Sequence, residues 1–326
     1  MSSSPTLIFI PGSWHGPACY NKVIKLLRDE HKMKCVAVSL PTTSGDPEAT
    51  FKDDVDAARE AILAETTFGR DVIVIAHSYG GMVGNSSIKG LASTRNPSLS
   101  SASLYAGSQP RSGGLVKTLI LIASGFTWTG WTFMEPLFNT PPPSWKFNSE
   151  TGFADLVTSP RELFYHDLPA DEAAYWVSQL TPQSLKALFE GGEFSYSGWQ
   201  DVPTWYIGTT EDRALPVLLQ RMQVGIARGQ GAVVHHRELF SGHSPFLSMP
   251  QEVVDIIVEA MCGSRGNEEA EEHDSVVSGK KIYQVPGFIL GLPSTWCKFG
   301  IPLFIGHGLG WTFAGLMSLS RLWKRG

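Results

Sequence analysis

Three side chains in this sequence of 326 residues have the types and the chain order that acyl transfer needs: Ser78, Asp212 and His243. A serine hydroxyl is a weak nucleophile until an imidazole takes its proton. The imidazole in turn needs a carboxylate to fix its tautomer and to stabilise the imidazolium that forms. Ser78 lies in Val72-Ile73-Val74-Ile75-Ala76-His77-Ser78-Tyr79-Gly80-Gly81-Met82-Val83-Gly84, an apolar run followed by a small-x-Ser-x-Gly-Gly turn and a helix start. In that context the serine stands at the top of a sheet on strained backbone, and its neighbours two positions away, Ala76 and Gly80, must be small. An isolated Ser-x-Gly is more often a packing turn; the flanking strand, the helix and the two partners argue for a nucleophile.

The acid is expected after the nucleophile and before the histidine. Trp205-Tyr206-Ile207-Gly208-Thr209-Thr210-Glu211-Asp212-Arg213-Ala214-Leu215-Pro216 reads as a strand, a loop with two adjacent carboxylates, and a helix start marked by proline. Asp212 is preferred and Glu211 is the fallback. Of nine histidines, His243 alone follows the last expected strand in a short glycine-bearing loop, Ser241-Gly242-His243-Ser244-Pro245-Phe246. His236 is second choice, inside a strand, and the His77 side chain must point away from that of Ser78. Two backbone amides would hold the oxyanion: Tyr79, at the start of the helix, and Ser13, in Ile10-Pro11-Gly12-Ser13-Trp14-His15-Gly16 after the first strand. His15 reads as structural. With no H-E-x-x-H, no G-x-G-x-x-G after the first strand and no clustered ligands, neither a metal nor a cofactor is implied.

The elements that must place these groups alternate. Thr6–Ile10, Cys35–Leu40, Asp71–Ala76 and Val116–Ala123 are apolar runs suited to strands buried on both faces. Phe51, Val55, Ala58 and Ile62 recur at helical spacing between the second and third. The order predicts an α/β fold, a mostly parallel sheet with helices on both faces and function at the carboxyl ends of its strands. From Phe126 to about Gln200 the strand pattern yields to helical, aromatic text (Pro160–His166, Ala170–Gln179, Pro182–Phe189), an inserted helical cap. The rhythm returns with Pro203–Gly208, a helix around Leu215–Ala227, the strand Val233–Leu239 and a helix Glu252–Met261. Residues 92–114 are dense in Ser, Gly and Pro and read as a surface loop.

Composition sets outer bounds. Hydrophobic residues are 42% and charged residues 17% of the chain, enough to bury a large core. The net charge of −5, without a basic cluster before residue 260, offers no face for a nucleic acid. Cys19, Cys35, Cys262 and Cys297 are scattered and read as reduced thiols, and Met1 to Pro5 lack a basic n-region, which points to a protein kept in the cytoplasm. Asn85-Ser86-Ser87 matches a glycosylation sequon but lies in the helix after Ser78, where burial makes the match fortuitous.

Pro11-Gly12-Ser13-Trp14-His15-Gly16, Ala76-His77-Ser78-Tyr79-Gly80-Gly81, Thr210-Glu211-Asp212 and Gly242-His243 together resemble the α/β-hydrolase branch of plant methylester esterases and hydroxynitrile lyases. Phe164-Tyr165-His166-Asp167-Leu168-Pro169, Leu180-Thr181-Pro182-Gln183-Ser184 and Gly242-His243-Ser244-Pro245-Phe246 resemble fungal members more closely. The likeness covers roughly residues 5–262. It implies the α/β-hydrolase fold and a serine hydrolase acting on a small carboxylic ester or thioester, with a link to secondary metabolism; the fold also hosts cyclases, lyases and receptors. Hydroxynitrile lyases carry lysine directly after their histidine, where this chain has Ser244, so the resemblance disfavours a lyase. Phe126, Trp128, Trp131, Phe133, Phe138, Trp145 and Trp176 could line an apolar pocket for an aromatic or polyketide-like substrate or simply fill the cap. The resemblance does not reach the oligomeric state.

Three regions are expected: a catalytic domain over 1–262 with its cap at about 126–200, an acidic flexible linker over 263–298, and an apolar tail over 299–326. Phe299 to Ser320 carries no formal charge. As a helix it would be about 33 Å long, close to the roughly 30 Å of a hydrocarbon core. Pro302 and the glycines of the span weaken that reading, so two remain: a membrane contact through residues 299–320, or a tail that packs on the domain or stays loose.

Overall fold

The computed structural model describes residues 4–92, 113–263, 282–285 and 300–323, with the side chains of 282–285 and 317–323 left out. Strands β1 (Thr6–Ile10), β3 (Val72–His77) and β7 (Thr204–Thr209) are buried at every position, as runs without polar alternation must be when helices cover both faces. With β2 (Cys35–Ala37), β4 (Val116–Ile122) and β8 (Val234–Leu239) they form six parallel strands in the order β2-β1-β3-β4-β7-β8. Successive residues feed opposite layers. Leu7, Phe9, Ile73, Ile75, Ile120 and Ile122 pack with Val23 and Leu27 of helix α1 (Asn21–His31) and with Val253 and Ile257 of a C-terminal helix. Ile8, Ile10, Val74, Ala76, Leu119 and Leu121 pack with Val55, Ala58 and Ile62 of α2 (Phe51–Thr66) and Val83 of α3 (Gly80–Ser87). Helix α2 starts on a reciprocal cap: Thr50 Oγ1 accepts from Asp53 N–H, and Asp53 accepts from Thr50 N–H.

The chain leaves β1 for β2 on one side and returns to β3 on the other, so the carboxyl ends of β1 and β3 flank the switch point where open α/β sheets bind ligands. Ser13 follows β1, and Ser78 follows β3. Asn85 is fully buried in α3, as the fortuitous sequon requires.

Several boundaries differ from expectation. Strand β2 stops at Ala37 rather than Leu40, because Leu40 enters a 3-10 turn at Pro41–Thr43. The cap contains helices α4 (Pro160–Phe164), α5 (Ala170–Ser178) and α6 (Leu185–Phe189), but it also holds an antiparallel hairpin, β5 (Trp145–Asn148) with β6 (Phe153–Leu156). Helix α7 (Val217–Gly229) lies between β7 and β8, and α8 (Pro245–Ser248) and α9 (Pro250–Gly263) close the domain. The expected linker is interrupted: β9 (Ile282–Val285) pairs antiparallel with β8, extending the sheet to seven strands. A short β-prone run meeting an open sheet edge accounts for it. The Ser-, Gly- and Pro-rich run falls almost wholly on 93–112, and the acidic stretch on 267–274; both lie outside the described residues.

The apolar tail forms helix α10 (Ile301–Trp323), and it packs on α7 through two glycine pairs. A Cβ on Gly306 would lie 2.1 Å from the Met222 carbonyl oxygen, one on Gly310 2.4 Å from that of Ile226, and one on Gly225 2.4 Å from that of Leu303. The four glycines let two helix backbones touch. No helix among the described residues is long and apolar enough to cross a membrane, so the spanning reading is set aside. Two of the glycines that weaken a free helix, Gly306 and Gly310, make contact with the domain, whereas Gly308 and Gly315 face open space.

Candidate active site

Ser78 sits on the turn between β3 and α3 with φ +50°, a left-handed conformation that a residue with a Cβ rarely adopts. The surroundings over-determine it. Ser78 N–H donates to the Ile122 carbonyl at 3.0 Å, and its carbonyl accepts from Ser124 Oγ at 2.6 Å. A Cβ on Gly80 would stand 2.2 Å from the Pro11 carbonyl oxygen, so the elbow can approach the β1 loop only with glycine there. Gly12 plays the same part from the other side, its added Cβ lying 3.0 Å from that of Ser78.

Asp212 and His243 are brought together as expected. His243 Nδ1–H donates to Asp212 Oδ2 at 2.8 Å, which leaves Nε2 as the basic nitrogen. Both side chains are buried. The carboxylate is saturated: Thr209 Oγ1 at 2.8 Å and Gln220 Nε2 at 3.1 Å also donate to Oδ2, while Ala214 N–H and Leu215 N–H each donate to Oδ1 at 2.8 Å. Glu211, the fallback, is exposed. His236 is buried in β8, its pKa pushed well below the usual value by burial and then by Arg228, Arg221 and Arg237. The Ser78 hydroxyl makes no hydrogen bond with His243 in this structure. Such contacts are often long without substrate and tighten in the reacting complex.

Among the described residues, the Ser13 and Tyr79 amides have no protein acceptor. They flank Ser78 from the β1 loop and from the start of α3. The Ser13 carbonyl accepts from His15 Nδ1–H at 2.7 Å, and His15 Nε2 accepts from Tyr165 O–H at 2.9 Å. Burial lowers the His15 pKa to about 4, so the ring stays neutral and can make both bonds. This agrees with a structural histidine. His77 points away from Ser78: its Nε2–H donates to the His243 carbonyl at 2.9 Å, and the two rings lie 4.6 Å apart.

Three features lay beyond sequence reasoning. Trp14 adopts φ +61°, its indole N–H donates to the Ala154 carbonyl at 2.9 Å, and its ring packs on Trp145 and Phe164. Gln220, one turn into α7, reaches back to the acid. Asp54 on α2 is fully buried and accepts from Thr42 N–H, Thr42 Oγ1 and Tyr79 O–H, the last at 2.8 Å. Of the cap aromatics, Phe133 stacks edge-on with the Tyr79 ring at 5.4 Å and Trp145 meets Trp14, so these two pack on residues of the elbow and of the β1 loop. Phe126 stacks on Tyr206, Trp128 on Trp131 and Phe313, and Trp176 is buried in the core layer that the sheet shares with α1. Phe138 is 92% exposed and lines nothing.

A parallel sheet with a strained serine after its third strand, a cap inserted after its fourth and a buried Asp–His pair after its fifth and sixth defines an α/β-hydrolase. The chain belongs to the alpha/beta hydrolase family, which it matches over residues 7–256. It is 27% identical over 261 residues to the alpha/beta hydrolase nvfD of Aspergillus novofumigatus, covering 78% of this chain and 96% of that one. To methylesterase 18 of Arabidopsis thaliana it is 26% identical over 271 residues, 78% of this chain and 95% of that one. The pyrethroid hydrolase of Sphingobium faniae shares the fold, with a TM-score of 0.57 at 20% identity over 80% of this chain and 98% of that one.

Proposed function

We propose that the chain is a serine hydrolase that cleaves a small carboxylic ester or thioester through an acyl-Ser78 intermediate. The observation that carries the reading is the His243–Asp212 pair, buried and aligned on the carboxyl side of the strand that ends in a positive-φ serine. His243 Nε2 takes the proton of Ser78, whose oxygen attacks the substrate carbonyl. The Ser13 and Tyr79 amides receive the charge that develops on the carbonyl oxygen. His243 then protonates the leaving group, and in the second half it activates the water that releases the acid. Asp212 fixes the ring and stabilises its cation without itself taking up the proton.

Aromatic rings surround this centre. Phe164 lies 5.7 Å from His243 between ring centroids, Trp14 packs on Phe164, and Trp145 packs on Trp14. Such walls favour an apolar or aromatic acyl group over a charged one. The likeness to fungal members in the sequence motivates a place in secondary metabolism, and the plant methylesterase supports an alkyl ester as substrate. A fluorophosphonate probe should label the wild type and leave Ser78→Ala unlabelled; equal labelling of both proteins would defeat the assignment.

A further inference from the structure

We infer that three consecutive cap residues, Tyr165, His166 and Asp167, are positioning residues that hold the loops carrying the oxyanion amide, the acid and the base in one arrangement. This rests on the hydrolase reading above. The tripeptide lies between α4 and α5, and each member addresses a different loop. Tyr165 O–H donates to His15, whose Nδ1–H holds the Ser13 carbonyl. His166 Nε2–H donates to the Glu211 carbonyl at 2.9 Å, one residue before Asp212. Asp167 Oδ2 accepts from Gly242 N–H at 2.7 Å, one residue before His243.

The two loops need such a tie. Main-chain bonds between them, Thr210 N–H to the Leu239 carbonyl and Glu211 N–H to the Ser241 carbonyl, both 3.0 Å long, stop short of the reacting pair. Beyond them the His166 and Asp167 contacts span the two loops from outside the sheet. Gly242 is shaped to receive this contact: an added Cβ would lie 2.8 Å from Asp167 Oδ1 and 3.1 Å from His166 Cε1. Asp167 Oδ1 is buried without a partner, a cost that a residue with only a packing role could shed by substitution. Next along the chain towards the N-terminus, the Phe164 ring faces both His15 and His243. The cap therefore does more than cover the site, because its position enters the alignment of the triad.

The test uses the full chain and compares Asp167→Ala, Asp167→Asn, His166→Ala and Ser78→Ala. The readouts are the rate of fluorophosphonate labelling, kcat and KM for a short acyl ester, and the downfield proton resonance of His243 Nδ1–H. Misplacement of reacting groups is worth roughly 10- to 100-fold in rate. Asp167→Ala should label that much more slowly with KM little changed and the downfield resonance weakened. Asp167→Asn, which keeps an acceptor for Gly242 N–H, should recover most of the rate. His166→Ala gives an independent arm if Asp167→Ala does not fold, and it should show the same loss in kcat. Labelling that depends on Ser78 but is unaffected in Asp167→Ala or His166→Ala would overturn the positioning role alone. Labelling that persists in Ser78→Ala would overturn the hydrolase reading instead.

Discussion

Asp54 offers a sharp test of the buried network behind the elbow. Burial raises its pKa from 3.8 to about 6 against the opposing effect of three donated hydrogen bonds. In the unfolded chain the carboxyl ionises near its ordinary value, so between about pH 4 and pH 6 the folded protein keeps a proton that the unfolded chain has released. Stability from this group therefore falls as pH rises through that window and stays low above it. A rise of about two pH units corresponds to roughly 3 kcal/mol. Asp54→Asn keeps the shape and an acceptor oxygen but cannot ionise. Its unfolding free energy relative to wild type, measured in urea at a series of pH values, should increase by up to roughly 3 kcal/mol from below pH 4 to above pH 6. A difference that stays flat with pH, or grows towards acid, would show that Asp54 is ionised at least as readily in the fold as in water.

Two further outcomes follow from contacts at the acid and at the last helix. Gln220→Leu removes a donor to Asp212 and strands the Thr209 N–H and the Leu215 carbonyl, which should cost roughly 2 kcal/mol in denaturant unfolding and slow turnover about tenfold; turnover at the wild-type rate would show that the other four donors suffice. Gly306→Leu places a side chain where the added Cβ alone falls 2.1 Å from the Met222 carbonyl oxygen, and overpacking of this kind costs roughly 1–3 kcal/mol. Limited proteolysis should then remove α10 faster than in wild type, and identical digestion patterns would contradict the close docking of α10.

Legibility in the sequence followed the range of each signal. The strand and helix around Ser78 were readable because strain, small neighbours and periodicity all fall within a dozen residues. Asp212 and His243 were readable because each closes a strand with a short loop. The tie through Tyr165, His166 and Asp167 was not, although the motif was visible: its partners lie at positions 15, 211 and 242, and nothing local signals a hydrogen bond over that distance. The cap hairpin escaped because each strand is only four residues long and too short to display an alternation. Phe138 was grouped with the pocket aromatics by type alone, whereas a left-handed backbone at its own position turns it to solvent.

The seam between α7 and α10 has a practical corollary. Met222, Gly225, Ile226 and Gly229 make a furrow of nearly bare main chain on the outside of the α/β domain, filled by residues that come after the end of the family match. A protein shortened to the boundaries its relatives suggest would present that furrow to water with its natural filling removed. The apolar contacts of Leu303 and Phe313 beside the furrow would be lost with it, and apolar surface exposed in this way invites self-association. Trimming this chain for crystallisation or assay should therefore preserve the final helix.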